Sequence, residues 1–424
     1  MGLTDRNLPE EPRLVVIPSV SAARRDGLLF LDDKAISGLR LYSRYWPGRV
    51  RAVFREGPAT QILFGSWREP ASLPFDIATV PEGAPIPDTL LHDAAVVLGS
   101  GDNHLDFSLA SQCRTLGVPV IFAIEYILEA RLEIIALSEA PLVSRLKSMV
   151  WTIKSELDRR RAFFQARGLQ ANGTPAAGRY ARTSREILTY FDTRLSEKQM
   201  ATDGELAVKC ARIMQGAPLR LAFTGRLEKM KGADDLIRIA AALDRAGNDF
   251  QLDIYGTGSL ETEMRAAVNN SAAAVSLREK VRIHRPVDFD RELVPIMRSE
   301  IDLFLCCHRQ ADPSCTYLET LGCGVPILGY NNRAWHGILN LADVGWETPM
   351  RALDAFVGKI VHLDANRFHL VDKMQNARDF AKAHSFEAEF KLRVDHLRKC
   401  SGNSAFFASK GVERLILPEG VHSA

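Results

Sequence analysis

The chain has 424 residues, of which 46% are hydrophobic and 25% are charged, so it can bury the cores of two sizeable domains. A formal net charge of +2 and the absence of zinc-finger, zipper or aromatic-basic repeats argue against nucleic acid as a partner. No apolar run approaches the roughly 20 residues of a membrane span, and the polar, proline-rich N-terminus does not resemble a signal peptide. Seven cysteines without a Cys-x-x-Cys pair predict reduced, mostly buried thiols in a cytoplasmic protein.

The first half of the chain alternates strand-like apolar runs with helices. Residues 13–18 predict a buried strand, and Asp33–Tyr45 predict a helix. Further strands are expected at 49–55, 61–64, 94–99 and 118–124, with a helix at 106–116. Such alternation is typical of a parallel, doubly wound sheet, in which ligands collect at the carboxyl ends of the strands.

Two ionisable side chains follow strands of this first sheet. His104 lies in the loop after Gly99. Its ionisable imidazole either contacts a ligand in the cleft, or the residue only caps a helix or is exposed. Glu125 follows Ile124, and its carboxylate either contacts a substrate or pairs with Arg131 or another cation in a structural salt bridge.

Residues 142–167 predict a basic amphipathic helix. Apolar side chains recur at helical spacing, at Leu142, Leu146, Met149, Ile153, Leu157 and Phe164. Cations outnumber acids around them, with Arg145, Lys147, Lys154, Arg159, Arg160, Arg161 and Arg167 against Glu156 and Asp158. Such a helix either lies on an anionic membrane with its apolar stripe buried, or packs on its own domain and leaves a solvated basic face.

A second alternating set begins after a helix predicted at 203–214. An apolar strand at 219–223 turns through a glycine-containing loop into a helix at Ala233. Gly225 lets the backbone approach a ligand closely, and Arg226 and Lys231 supply positive charge suited to phosphate. The alternative is an ordinary strand-to-helix loop with solvated cations.

The next strand, at 252–255, also ends in a glycine turn, Gly256-Thr257-Gly258. The turn lacks the third glycine of a dinucleotide fingerprint, and no acidic residue follows at the expected strand end. A nicotinamide-binding site is therefore disfavoured.

A third loop leads into a helix near Ser314 and Cys315, and then through Gly324 into a buried strand. Backbone N–H groups at the start of that helix are a natural place for phosphate. Glu319 lies about two turns further on, and its carboxylate points back toward the start of the helix, where it can accept hydrogen bonds from ribose hydroxyls.

The sequence Asp288-Phe289-Asp290 has the Asp-x-Asp spacing by which another class of enzyme holds manganese. It stands directly before a helical pattern, where an aspartate caps the helix and complements its dipole. We therefore predict a helix cap here and no metal site.

These elements, taken in order, resemble family-four glycosyltransferases, which have the GT-B fold. The resemblance covers most of residues 215–395 and rests on three motifs: Gly-Arg-Leu…Lys-Gly from Gly225, Tyr-Gly-Thr-Gly from Tyr255, and Glu-x3-Cys-Gly-x-Pro from Glu319. It implies two Rossmann-like doubly wound domains that face a cleft. Residues 1–200 would form the acceptor domain, completed by the C-terminal segment 385–424, and residues 215–384 the nucleotide-sugar domain, with the hinge at 196–218.

The resemblance also assigns roles to individual residues. The donor diphosphate would be held by Gly225, Arg226, Lys231, Gly256 and the backbone of Ser314, Cys315 and Thr316. Glu319 would bind the ribose, and the loop of Arg285, Pro286 and Val287 the base. The family has a further glutamate, on the sugar side, that would fall on Ala311. Asp312 is its candidate substitute, and Glu125, His104 and Asp312 are the candidate catalytic residues.

The predicted activity is retaining transfer of a hexosyl or hexuronosyl group, from a UDP-linked donor, without a metal or other cofactor. The leading acceptor is a membrane lipid such as diacylglycerol, and the protein would be cytoplasmic and peripheral on the inner face of the membrane. A polysaccharide, oligosaccharide or other soluble acceptor is the alternative. Further alternatives are an epimerase or hydrolase of the same architecture, a nucleotide-sugar-binding scaffold without turnover, and a peripheral membrane protein without catalysis.

Overall fold

The structure, a computed structural model, describes residues 11–62, 64–270, 274–311 and 313–402. These residues form two compact units. One unit is built from the described residues of Met1–Phe122, Gln165–Gly168 and Phe390–Ala424, and the other from Ala123–Phe164 and Leu169–Glu389.

The strands are short, and in chain order they are β1 (Arg13–Val16), β2 (Ala23–Arg25), β3 (Leu28–Asp32), β4 (Val50–Arg55), β5 (Gly65–Arg68), β6 (Asp76–Val80), β7 (Ala94–Ser100), β8 (Val120–Ile124), β9 (Gly168–Asn172), β10 (Ile187–Tyr190), β11 (Leu219–Thr224), β12 (Phe250–Tyr255), β13 (Val281–His284), β14 (Leu303–Cys306), β15 (Ile327–Tyr330) and β16 (Gly345–Thr348).

The helices that alternate with them are α1 (Asp33–Tyr45), α2 (Leu109–Leu116), α3 (Leu128–Leu137), α4 (Leu142–Gln165), α5 (Gly173–Tyr180), α6 (Asp203–Met214), α7 (Ala233–Arg245), α8 (Glu261–Asn270), α9 (Ala274–Lys280), α10 (Val294–Ser299), α11 (Thr316–Gly322), α12 (Arg333–Leu339), α13 (Leu353–Ala365), α14 (Phe368–Ala383) and α15 (Phe386–Cys400). None of the helices that the structure describes has both the length and the apolar character needed to cross a membrane.

Most of these strands belong to two doubly wound sheets, and β2, β3 and β5 form a small antiparallel sheet. One has seven strands in the order β10-β9-β8-β7-β1-β4-β6, and the other has six in the order β13-β12-β11-β14-β15-β16. The six-stranded sheet is parallel in every pair. The predicted α/β class with parallel, doubly wound sheets is confirmed.

The strand order places a switch point in each sheet. In the six-stranded sheet the chain runs outward from β11 to β13 and then returns to β14, beside β11. In the seven-stranded sheet the corresponding neighbours are β1 and β7. Ligands of open α/β sheets bind outside the carboxyl ends of the strands at such points, because the loops there turn away in opposite directions and leave a crevice. The fold therefore predicts a ligand-binding site at the loops after β11 and β14.

Local capping signals explain why two helices begin where the sequence predicts. At α1, the Asp32 side chain accepts a hydrogen bond from the Ala35 N–H at 2.8 Å. At α6, Thr202 and Glu205 form a reciprocal capping box. Both devices satisfy N–H groups that the helix itself leaves without a partner.

The strand predicted at 61–64 is wrong. Residues Ala59–Gln61 form a 3-10 turn after Pro58, and the Ile62 N–H closes that turn on the Ala59 carbonyl. The strand starts later, as β5, and pairs antiparallel with β3. A Cβ on Gly65 would lie 2.8 Å from the Leu31 carbonyl oxygen, so the glycine allows this close pairing to begin.

A lysine of α6, Lys209, is fully buried. Lys209 of α6 donates hydrogen bonds to the carbonyls of Met297 at 3.1 Å and Cys323 at 3.3 Å. Burial lowers the pKa of the Lys209 ammonium to about 8. Since Cys323 ends α11, the lysine ties α6 to the far end of a helix whose first residues are candidates for phosphate binding.

The Lys209 amine predicts a pH dependence of stability. Its pKa is about 8 in the folded chain and 10.5 in the unfolded one, so between these values the unfolded state binds more protons. The contribution of Lys209 to the free energy of unfolding should therefore rise by about 3 kcal/mol from pH 7.5 to pH 10.5. Denaturant unfolding of the wild type and Lys209→Met across this range would measure it. Parallel pH curves for the two proteins would contradict the prediction.

Candidate functional site

The loop after β11 brings two of the predicted phosphate ligands onto one short segment. Arg226 is exposed, and Lys231 lies mostly buried in the single 3-10 turn Lys229–Lys231 that precedes α7. The Gly225 N–H donates to the Tyr255 carbonyl at 3.0 Å, which holds this loop against the end of β12. Two cations thus stand in the loop at the carboxyl end of β11, Arg226 before the turn and Lys231 as its last residue.

Gly232 is required by the close packing of this loop. Its backbone is left-handed, with φ at +65°, and a Cβ there would lie 2.1 Å from the Cys307 carbonyl oxygen. The carbonyl belongs to the loop after β14. The absence of a side chain on Gly232 therefore lets the loops after β11 and β14 touch at the switch point.

Gly232→Ala should lower the free energy of unfolding by about 3 kcal/mol or more, because strain in the left-handed region adds to the overlap with backbone. Gly247 is the matched control, since it follows the same helix at φ +79° and a Cβ there would meet nothing within 4 Å. Gly247→Ala should cost only about 1 kcal/mol. Equal losses in thermal or denaturant unfolding would refute the argument from packing.

The glycine turn after β12 is fixed to the same loop. The Glu228 carboxylate accepts hydrogen bonds from the Ser259 N–H at 3.0 Å and the Ser259 hydroxyl at 2.7 Å. A Cβ on Gly256 would lie 1.9 Å from the Gly225 carbonyl oxygen. Gly225 and Gly256, predicted separately from the sequence, are therefore in direct backbone contact.

Two neighbouring acids at the start of α7, the buried Asp235 and the half-buried Asp234, orient Arg309. Arg309 donates to the Asp235 carboxylate at 2.7 Å and pairs with Asp234 at 2.9 Å. The Tyr330 hydroxyl donates to the same Asp235 oxygen at 2.9 Å. Burial by itself lowers the pKa of Arg309, but the two carboxylates hold it above its usual value. This charge-paired network stiffens the start of the loop after β14.

The predicted ribose ligand has an unexpected partner. Arg194 Nε donates to Glu319 Oε1 at 2.9 Å, and the guanidinium lies 3.8 Å from the ring centroid of Phe289. Burial lowers the pKa of Arg194, but Glu319, Cys315 and Asp290 together raise it, and the net shift is upward. Ser314, Cys315 and Thr316 stand at the start of the same helix, where the Ser314 hydroxyl contacts that of Thr316 at 3.1 Å. Asp312 lies outside the described residues.

The predicted base-binding loop follows β13. Arg285 and Pro286 are exposed and Val287 is half-buried. Just before them, the His284 ring stacks on Tyr255 with centroids 4.4 Å apart, and His284 Nε2 lies 2.7 Å from Asp253 Oδ1.

The Asp-x-Asp motif is a cap, as predicted. Asp288 Oδ1 accepts a hydrogen bond from the Arg291 N–H at 2.8 Å, and Asp290 accepts one from the Gln199 amide at 2.6 Å. Within the part of the chain that the structure describes, no three His, Cys, Asp or Glu side chains gather in a group that could hold a metal ion.

Both the sequence and the fold of the chain match those of known glycosyltransferases. Residues 215–382 match the family described as glycosyl transferases group 1. This matched segment, residues 215–382, is less than half of the chain. None of the curated protein sequences matches the chain.

Solved structures match nearly the whole chain. Anabaena HepE in complex with UDP has a TM-score of 0.61 and 12% identity, over 92% of this chain and 99% of that chain. Sucrose-phosphate synthase from Thermosynechococcus elongatus has a TM-score of 0.59 and 13% identity, over 94% of this chain and 100% of that chain. The lipopolysaccharide outer core galactosyltransferase WaaB has a TM-score of 0.59 and 12% identity, over 91% of this chain and 99% of that chain. This likeness confirms the GT-B fold.

The other candidate catalytic residues lie at strand ends. Glu125 is exposed directly after β8, in the same compact unit as the matched segment 215–382. His104 belongs to the other unit, where it is exposed and opens a single 3-10 turn that Asn103 caps. Beside that turn the buried pair Arg55–Asp106, at 2.7 Å, supports the loop after β7.

Helix α3 and the residues after it contact the matched segment 215–382 through acidic side chains that sequence reasoning missed. Glu133 Oε2 accepts a hydrogen bond from the Ala311 N–H at 3.1 Å. Glu129 lies 3.9 Å from Arg333, and Glu139, just beyond α3, lies 3.6 Å from Lys229. No local pattern in the sequence signals these contacts, since the partners of Glu133 and Arg194 stand 178 and 125 positions away.

Helix α4 packs with its polar side inward. Arg159 is fully buried and donates to the Tyr180 hydroxyl at 2.9 Å and the Tyr126 carbonyl at 2.7 Å. The Tyr180 hydroxyl in turn contacts the Glu156 carboxylate at 3.1 Å. The outward side carries exposed apolar side chains, namely Leu142, Val143, Leu146, Val150, Trp151, Ile153, Leu157 and Phe164.

Proposed function

We propose that the protein is a retaining glycosyltransferase that moves a hexosyl or hexuronosyl group from a UDP-linked sugar to a membrane lipid such as diacylglycerol. The group 1 domain at the switch point of the six-stranded sheet supports the donor half of this proposal. The outward apolar face of α4 supports the acceptor half, and it is the observation that carries the choice of a lipid.

On the donor side, Arg226 and Lys231 would balance the charge that develops on the departing diphosphate, with Gly225 and Gly256 allowing close approach of the backbone. The backbone of Ser314, Cys315 and Thr316 would bind phosphate oxygens. Glu319, oriented by Arg194, would accept hydrogen bonds from the ribose, and the loop of Arg285, Pro286 and Val287 would contact the base. Because these cations are part of the chain, the transfer needs no metal ion.

On the sugar side, we assign Glu125, His104 and Asp312 to the region of the reacting sugar and the acceptor. In same-face substitution the leaving phosphate itself takes the proton of the acceptor hydroxyl, so the mechanism requires no protein base. A carboxylate such as that of Glu125 would then stabilise positive character at the anomeric carbon or hold the acceptor hydroxyl.

Because α4 turns polar side chains inward and apolar side chains outward, its exposed face is suited to a membrane rather than to water. Leu142 and Phe164, at the two ends of the helix, are 72% and 78% exposed, although large apolar side chains usually avoid water. Lys147, Lys154 and Arg161 are exposed and recur every seven residues, so they form one row along an edge of the apolar stripe. Apolar insertion bordered by cations suits a bilayer with anionic headgroups.

A carbohydrate acceptor is the second candidate, and the names of two similar solved structures support it. One of the solved structures is named a sucrose-phosphate synthase, and another a lipopolysaccharide outer core galactosyltransferase. A scaffold that binds nucleotide sugars without turnover is the third candidate, because the position of the family's sugar-side glutamate is Ala311.

Mass spectrometry of products would separate these candidates. The purified protein would be incubated with UDP- and GDP-sugars and with liposomes of diacylglycerol and anionic phospholipid. A new glycolipid is the expected result. Release of nucleotide without glycolipid would redirect the search to polysaccharide or soluble acceptors. Tight nucleotide binding without any turnover would favour the scaffold, and an isomerised or hydrolysed sugar would favour an epimerase or hydrolase.

A further inference from the structure

The Glu133 carboxylate reaches the loop after β14 from a different part of the chain. Glu133 belongs to α3, is half-buried, and accepts the Ala311 N–H on one of its oxygens, Oε2, at 3.1 Å. Ala311 has only a methyl side chain. Helix α3 therefore brings a carboxylate to this point of the loop.

The position of this loop relates the carboxylate to the donor site. The loop begins at the carboxyl end of β14, at the switch point, and it ends at Ser314–Thr316, the segment proposed to bind phosphate. In a nucleotide sugar the transferred sugar is bonded directly to the second phosphate. A carboxylate anchored within the same loop is thus close to where the sugar must lie.

We propose that Glu133 binds hydroxyl groups of the transferred sugar and selects a neutral hexose. This assignment rests on the proposed function and restricts the transferred group from hexosyl or hexuronosyl to hexosyl. A carboxylate has about four lone-pair positions, so the backbone N–H that Glu133 accepts among the described residues leaves capacity for two neighbouring sugar hydroxyls. A hexuronosyl group would bring a second carboxylate toward Glu133, and like charges at short range repel.

Two variants separate sugar binding from anchoring of the loop. Glu133→Gln keeps a carbonyl oxygen that can accept the Ala311 N–H but removes the charge, whereas Glu133→Ala removes both. Calorimetry would measure the Kd of each for UDP and for the UDP-sugar that the wild type turns over. Glu129→Gln, one turn earlier on α3, is the control for loss of a carboxylate on this helix.

We expect Glu133→Gln to bind UDP like the wild type and the UDP-hexose roughly 10- to 100-fold more weakly, as for loss of a charge-assisted hydrogen bond. Its preference for UDP-hexose over UDP-hexuronate should also fall. Wild-type behaviour of Glu133→Gln with both ligands, or an equal loss of UDP affinity, would overturn the assignment in favour of an anchoring role. If the wild type binds no UDP- or GDP-sugar, the proposed function itself fails, and this assignment with it.

Discussion

Arg226→Ala and Lys231→Ala should each reduce sugar transfer by roughly two to three orders of magnitude, the effect expected when a charge contact to the departing diphosphate is lost. The two cations belong to the loop after β11, at the switch point where the loops after β11, β12 and β14 meet. The kcat/KM for the UDP-sugar turned over by the wild type is the measurement.

The controls must separate lost chemistry from lost structure. Arg245→Ala removes an exposed cation at the far end of α7 and should leave kcat/KM within a factor of about two, since screened surface charge contributes little. Lys231 is mostly buried, so Lys231→Ala could also disturb packing. Lys231→Met retains the volume of the side chain and therefore tests the loss of charge alone. If both alanine variants keep full activity with unchanged melting temperatures, the donor site has been assigned to the wrong loop.

Leu146→Glu should weaken binding to anionic vesicles by at least tenfold, and Leu146→Glu combined with Ile153→Glu and Leu157→Glu should abolish it. Each of these side chains is more than half exposed, so the glutamates should not disturb the fold. Burying one such side chain in a membrane contributes roughly 1.5 to 3 kcal/mol, and a carboxylate both removes that gain and repels the headgroups. Sedimentation with vesicles of stated anionic content would measure the loss.

The matched control is Val208→Glu, which places the same charge on an equally exposed apolar position of α6, at 72% exposure. It should leave vesicle binding unchanged. Raising the salt concentration should weaken wild-type binding as well, because the row of Lys147, Lys154 and Arg161 acts through screened attraction. Equal binding by Leu146→Glu and the wild type would remove the membrane from the proposal and favour a soluble acceptor.

Local signals in the sequence were enough to predict two helices, one helix cap and the parallel sheets. The helices Asp33–Tyr45 and Asp203–Met214 have the predicted bounds, because their capping residues act within three positions of the helix start. The helix cap at Asp288 was also predictable from the sequence, because its hydrogen-bond partner, the Arg291 N–H, is only three residues away. The alternation of strands and helices predicted the parallel sheets, because burial on both faces of a strand leaves a continuous apolar run.

Only the tertiary structure decided which distant residues meet. The sequence gives no reason to pair Arg194 with Glu319 or Glu133 with Ala311, because such contacts depend on how the chain returns to one sheet edge. The same holds for α4. Its periodicity revealed an apolar stripe, but the buried Arg159–Tyr180–Glu156 contacts determine that the polar side faces inward. Short-range hydrogen bonds and apolar spacing are encoded locally, whereas side-chain pairing across more than 100 residues is fixed only when the sheets form.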